Sequence, residues 1–348
     1  NWFGKNRPQK YEIYRMIHDV LQALRQRTHH ILITTHWNPD GDAVGSALGW
    51  AHYLRASGHQ VRVVLPNAPS KPIQSSPGYT AAYVTVAEER PDEAAELFRR
   101  AELHFALDYN TPSRVGSALE PFVREFAGRQ VLVDHHQQPD PLFTEAFSST
   151  AKGSTSEMIA DLITADDGWG KVDVACAENL LMGMITDSGS FRFPSTTAHT
   201  MATAARLIEA GAHAHAIHAR LYDANPLSRL HTFGHGLRSA VLVAGGRGAV
   251  LVLSLADLES AGYVAGDSEG LVNWGLSVDG VEVSVLLRED AAGLVKMSFR
   301  STGDRDVNEF ARSYYSGGGH RNAAGGASSL GLADLKAELI QYLEQWLA

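Results

Sequence analysis

His36, Asp40 and Asp42 fall within seven residues of one another, in the stretch TTHWNPDGDAVGS. Asp108 ends the apolar run HFALD. Asp134 ends VLVD and leads directly into His135 and His136, and Asp187 follows the apolar stretch ENLLMGMIT. Oxygen and imidazole donors without a thiolate suit Mn2+, Mg2+, Fe2+ or Co2+, and can accept Zn2+. Carboxylates brought together repel one another and rise in pKa unless cations compensate. The number of carboxylates supports two ions, with Asp108, on the middle segment, as the bridge. Two ions roughly 3.5–4 Å apart stabilise the attacking and leaving oxygens of a phosphoryl displacement. Any one of these aspartates could equally cap a helix or form a turn. The coincidence of four such segments favours metal chemistry.

To converge, the segments need a frame that delivers them to one edge. HILITT (30–35), QVRVVLP (60–66), ELHFALD (102–108) and RQVLVD (129–134) read as strands. AVGSALGWAHYLRAS (43–57, closed by Gly58), PDEAAELFRRA (91–101), GSTSEMIADLITA (153–165) and DVACAENLLMGMIT (173–186) read as helices. This alternation predicts an α/β fold, a parallel sheet with helices on both faces. Such sheets bind ligands beyond the carboxyl ends of their strands, where these aspartates sit. The stretch from 213 to 240 has little strand character and reads as a helical connector broken after Asn225. Beyond it, GRGAVLVLSL (246–255), VEVSVLLRE (281–289) and GLVKMSFRS (293–301) read as strands, and LADLKAELIQYLEQWL (332–347) as an amphipathic helix. The expected organisation is a metal-binding catalytic domain over 1–212, a connector over 213–240 and a smaller α+β domain over 241–348. An active-site cleft is expected between the two domains.

Composition narrows the partners. Lys and Arg number 30 against 39 Asp and Glu, a formal charge of −9. Binding long nucleic acid relies on many basic contacts to phosphate, so long duplexes are excluded and a short phosphorylated ligand is not. The single cysteine, Cys176, allows no intrachain disulfide and fits the reduced cytoplasm. No apolar run of about 18 residues suggests a membrane span. The start, NWFGKNRPQK, lacks both an initiator Met and the apolar core of a signal peptide.

HWNPDGD, the strand-end ALD, VDHH, ITDSGSFRF and, far downstream, GGGHRNAAGG occur in the order of the DHH phosphoesterase superfamily. The chain resembles that family over nearly its whole length, and the last motif resembles its DHH-associated C-terminal domain. The resemblance implies a two-domain phosphoesterase with two divalent ions, Mn2+ foremost and Mg2+ or Co2+ as alternatives. It implies that His36, Asp40 and Asp108 hold one ion and that Asp42, His135 and Asp187 hold the other, with Asp108 bridging. Asp134 would orient a ligand imidazole, as such supporting carboxylates do, and His136 would face the substrate phosphate. Gly41 would let the backbone turn so that Asp40 and Asp42 both face the cleft.

SGGGHRNAAGG (316–326) reads as a flexible loop in which Gly317, Gly318 and Gly319 let N–H groups approach an anion, with a helix start behind them adding its dipole. By resemblance His320 would contact substrate and Arg300 would bind a phosphate or stack on a base, with Arg192 and Arg321 as further phosphate contacts. His213, His215, His218, His231 and His235 have no carboxylate or cysteine to complete a site and read as solvated helix faces.

The implied reaction is hydrolysis of a phosphate ester by a metal-activated water attacking in line, with no covalent intermediate and no organic cofactor. The layout most resembles nanoRNases, which degrade short oligoribonucleotides to mononucleotides and dephosphorylate 3′-phosphoadenosine 5′-phosphate (pAp). The expected partners are short RNA and small nucleotides, with no membrane and with a homodimer allowed. A phosphodiesterase for linear or cyclic dinucleotides is the alternative. A catalytically idle nucleotide-binding regulator is the reading from another class, and the intact ligand positions argue against it.

Overall fold

The computed structural model describes residues 7–290 and 292–348, and within these the side chains of residues 7–15 and of His320 lie outside the described set. The chain divides into two compact units, Asn1–Ala224 and Asn225–Ala348. Among the described residues no helix is long and apolar enough to cross a membrane.

The first unit runs α1 (Arg7–Gln26), β1 (His30–Thr34), α2 (Gly41–Ala56), β2 (Gln60–Leu65), α3 (Lys71–Gln74), β3 (Val84–Val86), α4 (Pro91–Arg100) and β4 (Leu103–Leu107). It continues with α5 (Glu120–Arg124), β5 (Arg129–Asp134), β6 (Glu145–Ser148), α6 (Thr155–Ala165), α7 (Val174–Asp187), α8 (Ala198–Glu209) and α9 (Ala214–His218). The strands form one sheet in the order β3-β2-β1-β4-β5-β6, parallel throughout. A strand buried on both faces sends alternate residues to opposite sides. Ile31 and Ile33 therefore join the core beneath α2, α6 and α7, while Leu32 joins the one beneath α4 and α5. Phe105 and Leu107 divide from Ala106 in the same way, as do Val131 and Val133 from Leu132. The short strands β3 and β6 were not legible in the sequence pattern. Each is an edge strand, too short to show a period.

This order reverses between β1 and β4, whose connections leave in opposite directions and open a crevice at their carboxyl ends. The loops after β1 and β4 carry His36, Asp40 and Asp108, and the first turn of α2 carries Asp42.

α2 and α7 approach with almost no side chain between them. A Cβ on Gly45 would sit 2.5 Å from the Asn179 carbonyl oxygen and 2.9 Å from the Gly183 amide nitrogen. Gly41 belongs to the same contact, since a Cβ there would overlap the Thr186 side chain. Its expected role as a turn residue therefore gives way to close packing. Gly41 is the first residue of α2, and Asp40, extended at the N-cap, makes the turn.

The second unit contains α10 (Leu227–Arg238), β7 (Val241–Val243), β8 (Gly248–Leu253), α11 (Leu255–Ala261), α12 (Leu271–Gly275), β9 (Val283–Glu289) and β10 (Val295–Ser301). α13 (Val307–Tyr315), β11 (Gly318–His320), β12 (Ala323–Ser328) and α14 (Leu332–Trp346) follow. Its sheet, β11-β12-β10-β9-β8-β7, is mixed, with only β8 and β9 parallel. The Gly-rich stretch expected as a loop is the β11–β12 hairpin, and no helix begins behind it before Leu332. The helix dipole expected there is absent, because β12 runs on along β10. Backbone pairing alone builds this hairpin, so its glycines carry no side-chain pattern to read.

Gly45→Ala forces a methyl group into the α2–α7 contact against backbone that cannot swing aside. It should lower unfolding free energy by about 1–3 kcal/mol, the usual range for overpacking. Urea denaturation checks this, and an unchanged midpoint would mean that the helices are free to separate.

Candidate metal centre

Register sets the crevice. Thr34 pairs with Ala106 and Ala106 with Leu132, so His36, Asp108 and Asp134 each stand two residues beyond one row of the sheet. Asp108 is only 2% exposed and takes a left-handed backbone, φ 65°. Its two oxygens face opposite ways. His36 Nε2 lies 3.5 Å from Oδ2, and His135 Nε2 lies 3.4 Å from Oδ1. On the first side Asp40 Oδ1 stands 3.9 Å from His36 Nε2, and on the second Asp187 Oδ2 stands 3.3 Å from His135 Nε2. His36 Nδ1 donates to the Trp37 carbonyl at 2.8 Å, which directs Nε2 to the carboxylates.

Ligand-type atoms of His36, Asp40 and Asp108 lie within 4.8 Å of one another, as do those of Asp42, His135 and Asp187. These are the two triads expected from the sequence, with Asp108 turned toward both. A third group, Asp108 with His135 and His136, overlaps them. The donor set is all oxygen and imidazole, and it fits two hard-to-borderline divalent cations sharing Asp108.

Thr155 and Ser156, which sequence reasoning missed, hold this arrangement from behind. Asp42 Oδ2 accepts from the Thr155 amide at 2.6 Å, and Oδ1 accepts from the Ser156 amide at 2.9 Å. Both amides belong to the first turn of α6, where N–H groups lack intrahelical partners and attract anions. The Thr155 hydroxyl donates to Asp108 Oδ1 at 2.9 Å. The sequence marks this helix start through the N-cap Ser154, which accepts from the Glu157 amide, but does not say which anion the helix start meets.

Asp134 departs from expectation. Its Oδ1 accepts from His136 Nδ1 at 2.6 Å, so it orients His136 rather than an imidazole of either expected triad. Of the substrate-contact candidates in this unit, Arg192 is exposed and donates from Nε to the Gly189 carbonyl at 2.6 Å. The turn around it is left-handed at Gly189, Ser190 and Phe191, immediately after Asp187. In the second unit Arg300 lies on β10 with Nη1 donating to the Phe299 carbonyl at 2.9 Å, and burial lowers its pKa. Arg321 is paired with Asp304 at 3.0 Å. Gly317, Gly318 and Gly319 open the hairpin, and the His320 side chain lies outside the described set. Among the connector histidines, His213 pairs with Glu178 and His235 with Asp257.

The charges are mutually dependent. Burial raises Asp42, and Asp108 and Asp187 raise it further. Asp187 is pushed up to about 7 by burial, with His135 opposing and Asp108 and Asp40 adding to the rise. Asp108 goes the other way: burial would raise it, but His135 and His36 hold it well below the usual carboxylate range. Burial opposes charge on the two imidazoles, yet Asp108 outweighs it and lifts His36 to about 9 and His135 to about 10. Protons on the histidines thus supply positive charge that bound cations would otherwise provide.

The DHH family, N-terminal domain, matches residues 30–184, and the DHHA1 domain matches residues 247–348. A bifunctional oligoribonuclease and PAP phosphatase NrnA of Thermus thermophilus is 32% identical over 91% of this chain and 89% of its own length. A cyclic-di-AMP phosphodiesterase GdpP of Geobacillus thermodenitrificans is 23% identical over 95% of this chain, but over only 50% of its own length. Among solved structures, an exopolyphosphatase-related protein from Bacteroides fragilis superimposes with a TM-score of 0.90 at 29% identity, covering 96% of this chain and 97% of that one.

A histidine whose pKa rises on folding adds stability that is complete below about 6.5 and is lost as pH passes its folded value. For His36 and His135 that loss runs to about 9 and 10, and for Asp187, also raised, it runs through about 7. Chelator-treated protein should therefore lose melting temperature from pH 6.5 to 10. Saturating Mn2+ should remove most of that slope and release protons at pH 7. A chelated protein that gains stability across this window would contradict the assignment.

Proposed function

The chain belongs to the DHH family, with a DHHA1 domain behind the DHH domain, and on that premise we propose that it is a divalent-metal-dependent phosphoesterase of short nucleotides. Its substrates are oligoribonucleotides of roughly two to five nucleotides, hydrolysed to mononucleotides, and pAp, hydrolysed to AMP. The observation that carries this reading is the shared Asp108 carboxylate, facing a ligand triad through each oxygen at the crevice where strand order reverses. The substrate class follows the Thermus thermophilus relative, which matches along nearly the full length of both chains. The likeness to the cyclic-di-AMP phosphodiesterase favours a second reading, in which a cyclic dinucleotide is opened at the same site.

When bound, two divalent ions, Mn2+ foremost, supply an activated water and positive charge for the phosphoryl oxygens. His36 and Asp40 would hold one, Asp42, His135 and Asp187 would hold the other, and Asp108 would serve both. Thr155 keeps Asp108 fixed through its hydroxyl and, with Ser156, keeps Asp42 fixed through the α6 amides. Asp134 fixes the His136 ring at Nδ1, and His136 meets the substrate phosphate with Nε2. Burial around Asp42 and Asp108 thins the water near the phosphorus, which strengthens every charge interaction there. Arg192, Arg300, His320, Arg321 and the amides of Gly317, Gly318 and Gly319 are assigned to the substrate's phosphates and base. A cytoplasmic enzyme fits this substrate class.

Little basic surface is available to hold phosphates beyond the site, since the formal charge is −9. Cleavage should therefore be faster on two- to five-nucleotide RNA than on a 20-mer, with mononucleotides released one at a time. A time course with Mn2+ over diribonucleotide, 5-mer, 20-mer, pAp and cyclic dinucleotides tests this. Equal or higher kcat/KM on the 20-mer would overturn the length preference, and exclusive turnover of cyclic dinucleotides would favour the second reading.

A further inference from the structure

Trp37 directly follows the ligand His36, yet it is 40% exposed, whereas Trp50 of the same unit is fully buried. The backbone that carries the exposed indole is held on both sides. The Trp37 amide donates to the Arg114 carbonyl at 2.6 Å, and its own carbonyl accepts from His36 Nδ1 at 2.8 Å. Asn38, next in the chain, is left-handed and locked by reciprocal amide bonds with Asn67, at 2.8 and 3.0 Å. The ring is bedded on Gly116, where a Cβ would stand 2.8 Å from Trp37 Cε3 and where φ is +80°. Gly116 lies in the segment that follows Asp108. Trp37 therefore joins the loop that carries His36 and Asp40 to the segment that follows Asp108, and among the described residues no other aromatic ring packs on it.

A large ring on the residue next to a candidate metal ligand, backed by Gly116 and left exposed, is a stacking platform. Every nucleobase has a π-face, and stacking on an aromatic side chain contributes binding without reading sequence. Purines, with the larger face, gain most. We propose that Trp37 stacks on the base of the nucleotide whose phosphate occupies the metal centre, so that it sets nucleotide affinity and a purine preference at that position. This inference rests on the proposed nucleotide substrate and deepens it.

The test uses the full chain with Mn2+, as wild type, Trp37→Ala and Trp37→Phe. The substrates are the diribonucleotide pApA and analogues abasic at one residue or the other. Trp37→Ala should raise KM on pApA roughly tenfold with kcat within twofold, and Trp37→Phe should recover most of that loss. On the analogue lacking the stacked base the variants should differ from wild type by less than about twofold. Metal content, measured in parallel, should be equal in all three proteins. An equal loss on pApA and on both abasic analogues would overturn the proposal, because it would mean that Trp37 only supports His36. An unchanged KM on pApA would overturn it too. Calorimetric binding of pApA separates the two layers. Wild type that binds pApA without cleaving it overturns the activity, while Trp37 is still judged by the change in Kd. Wild type that neither binds nor cleaves pApA overturns both.

Discussion

Three carboxylates, Asp42, Asp108 and Asp187, share a crevice largely closed to water, and their repulsion must be met by positive charge. In the metal-free protein the imidazoles of His36 and His135 meet it by staying protonated, each against one oxygen of Asp108. That state is a poor resting point for a fold. It buries charge, and unpaired buried charge is strongly destabilising when one partner is removed. Two divalent cations would satisfy the same carboxylates with more charge in less space. The crevice brings together a donor set that could hold divalent cations.

The rest of the first unit keeps those carboxylates in place. The strand register brings the ends of β1, β4 and β5 level, so segments far apart in sequence deliver their ligands to one line. The glycine contact between α2 and α7 draws Asp42, at the start of one helix, toward Asp187, at the end of the other. The amino end of α6 then spends its free amides on Asp42 and the Thr155 hydroxyl on Asp108. A sheet, a helix contact and a helix terminus thus converge on Asp42, Asp108 and Asp187. Packing errors at Gly45 and charge errors at Asp108 should therefore affect the same centre.

Much of this was legible in the sequence because its signals are local. An apolar run announces an element and the place where its ligand emerges, and Asp108 after a strand, Asp187 at the end of a helix and His36 just beyond HILITT were readable on those terms. Signals that depend on a distant partner were not readable. Thr155 and Ser156 look like an ordinary helix start until the fold brings Asp42 to them. Gly41 looks like a turn residue until α7 is laid against it. Asp134 was assigned to an imidazole of the expected triads, whereas the turn after β5 brings His136 to it. The β11–β12 hairpin was hidden for another reason: its glycines pair through backbone alone and leave no alternation of polar and apolar side chains.

The shared role of Asp108 is tested most directly by metal analysis of the purified Asp108→Ala protein, alongside circular dichroism to establish that it is folded. Wild type should carry two divalent ions per chain after equilibration with Mn2+. The folded variant should lose both, because the first triad keeps only the exposed Asp40 as an anion and the second loses the carboxylate that faces His135. Two ions retained in a folded Asp108→Ala protein would contradict the bridging assignment.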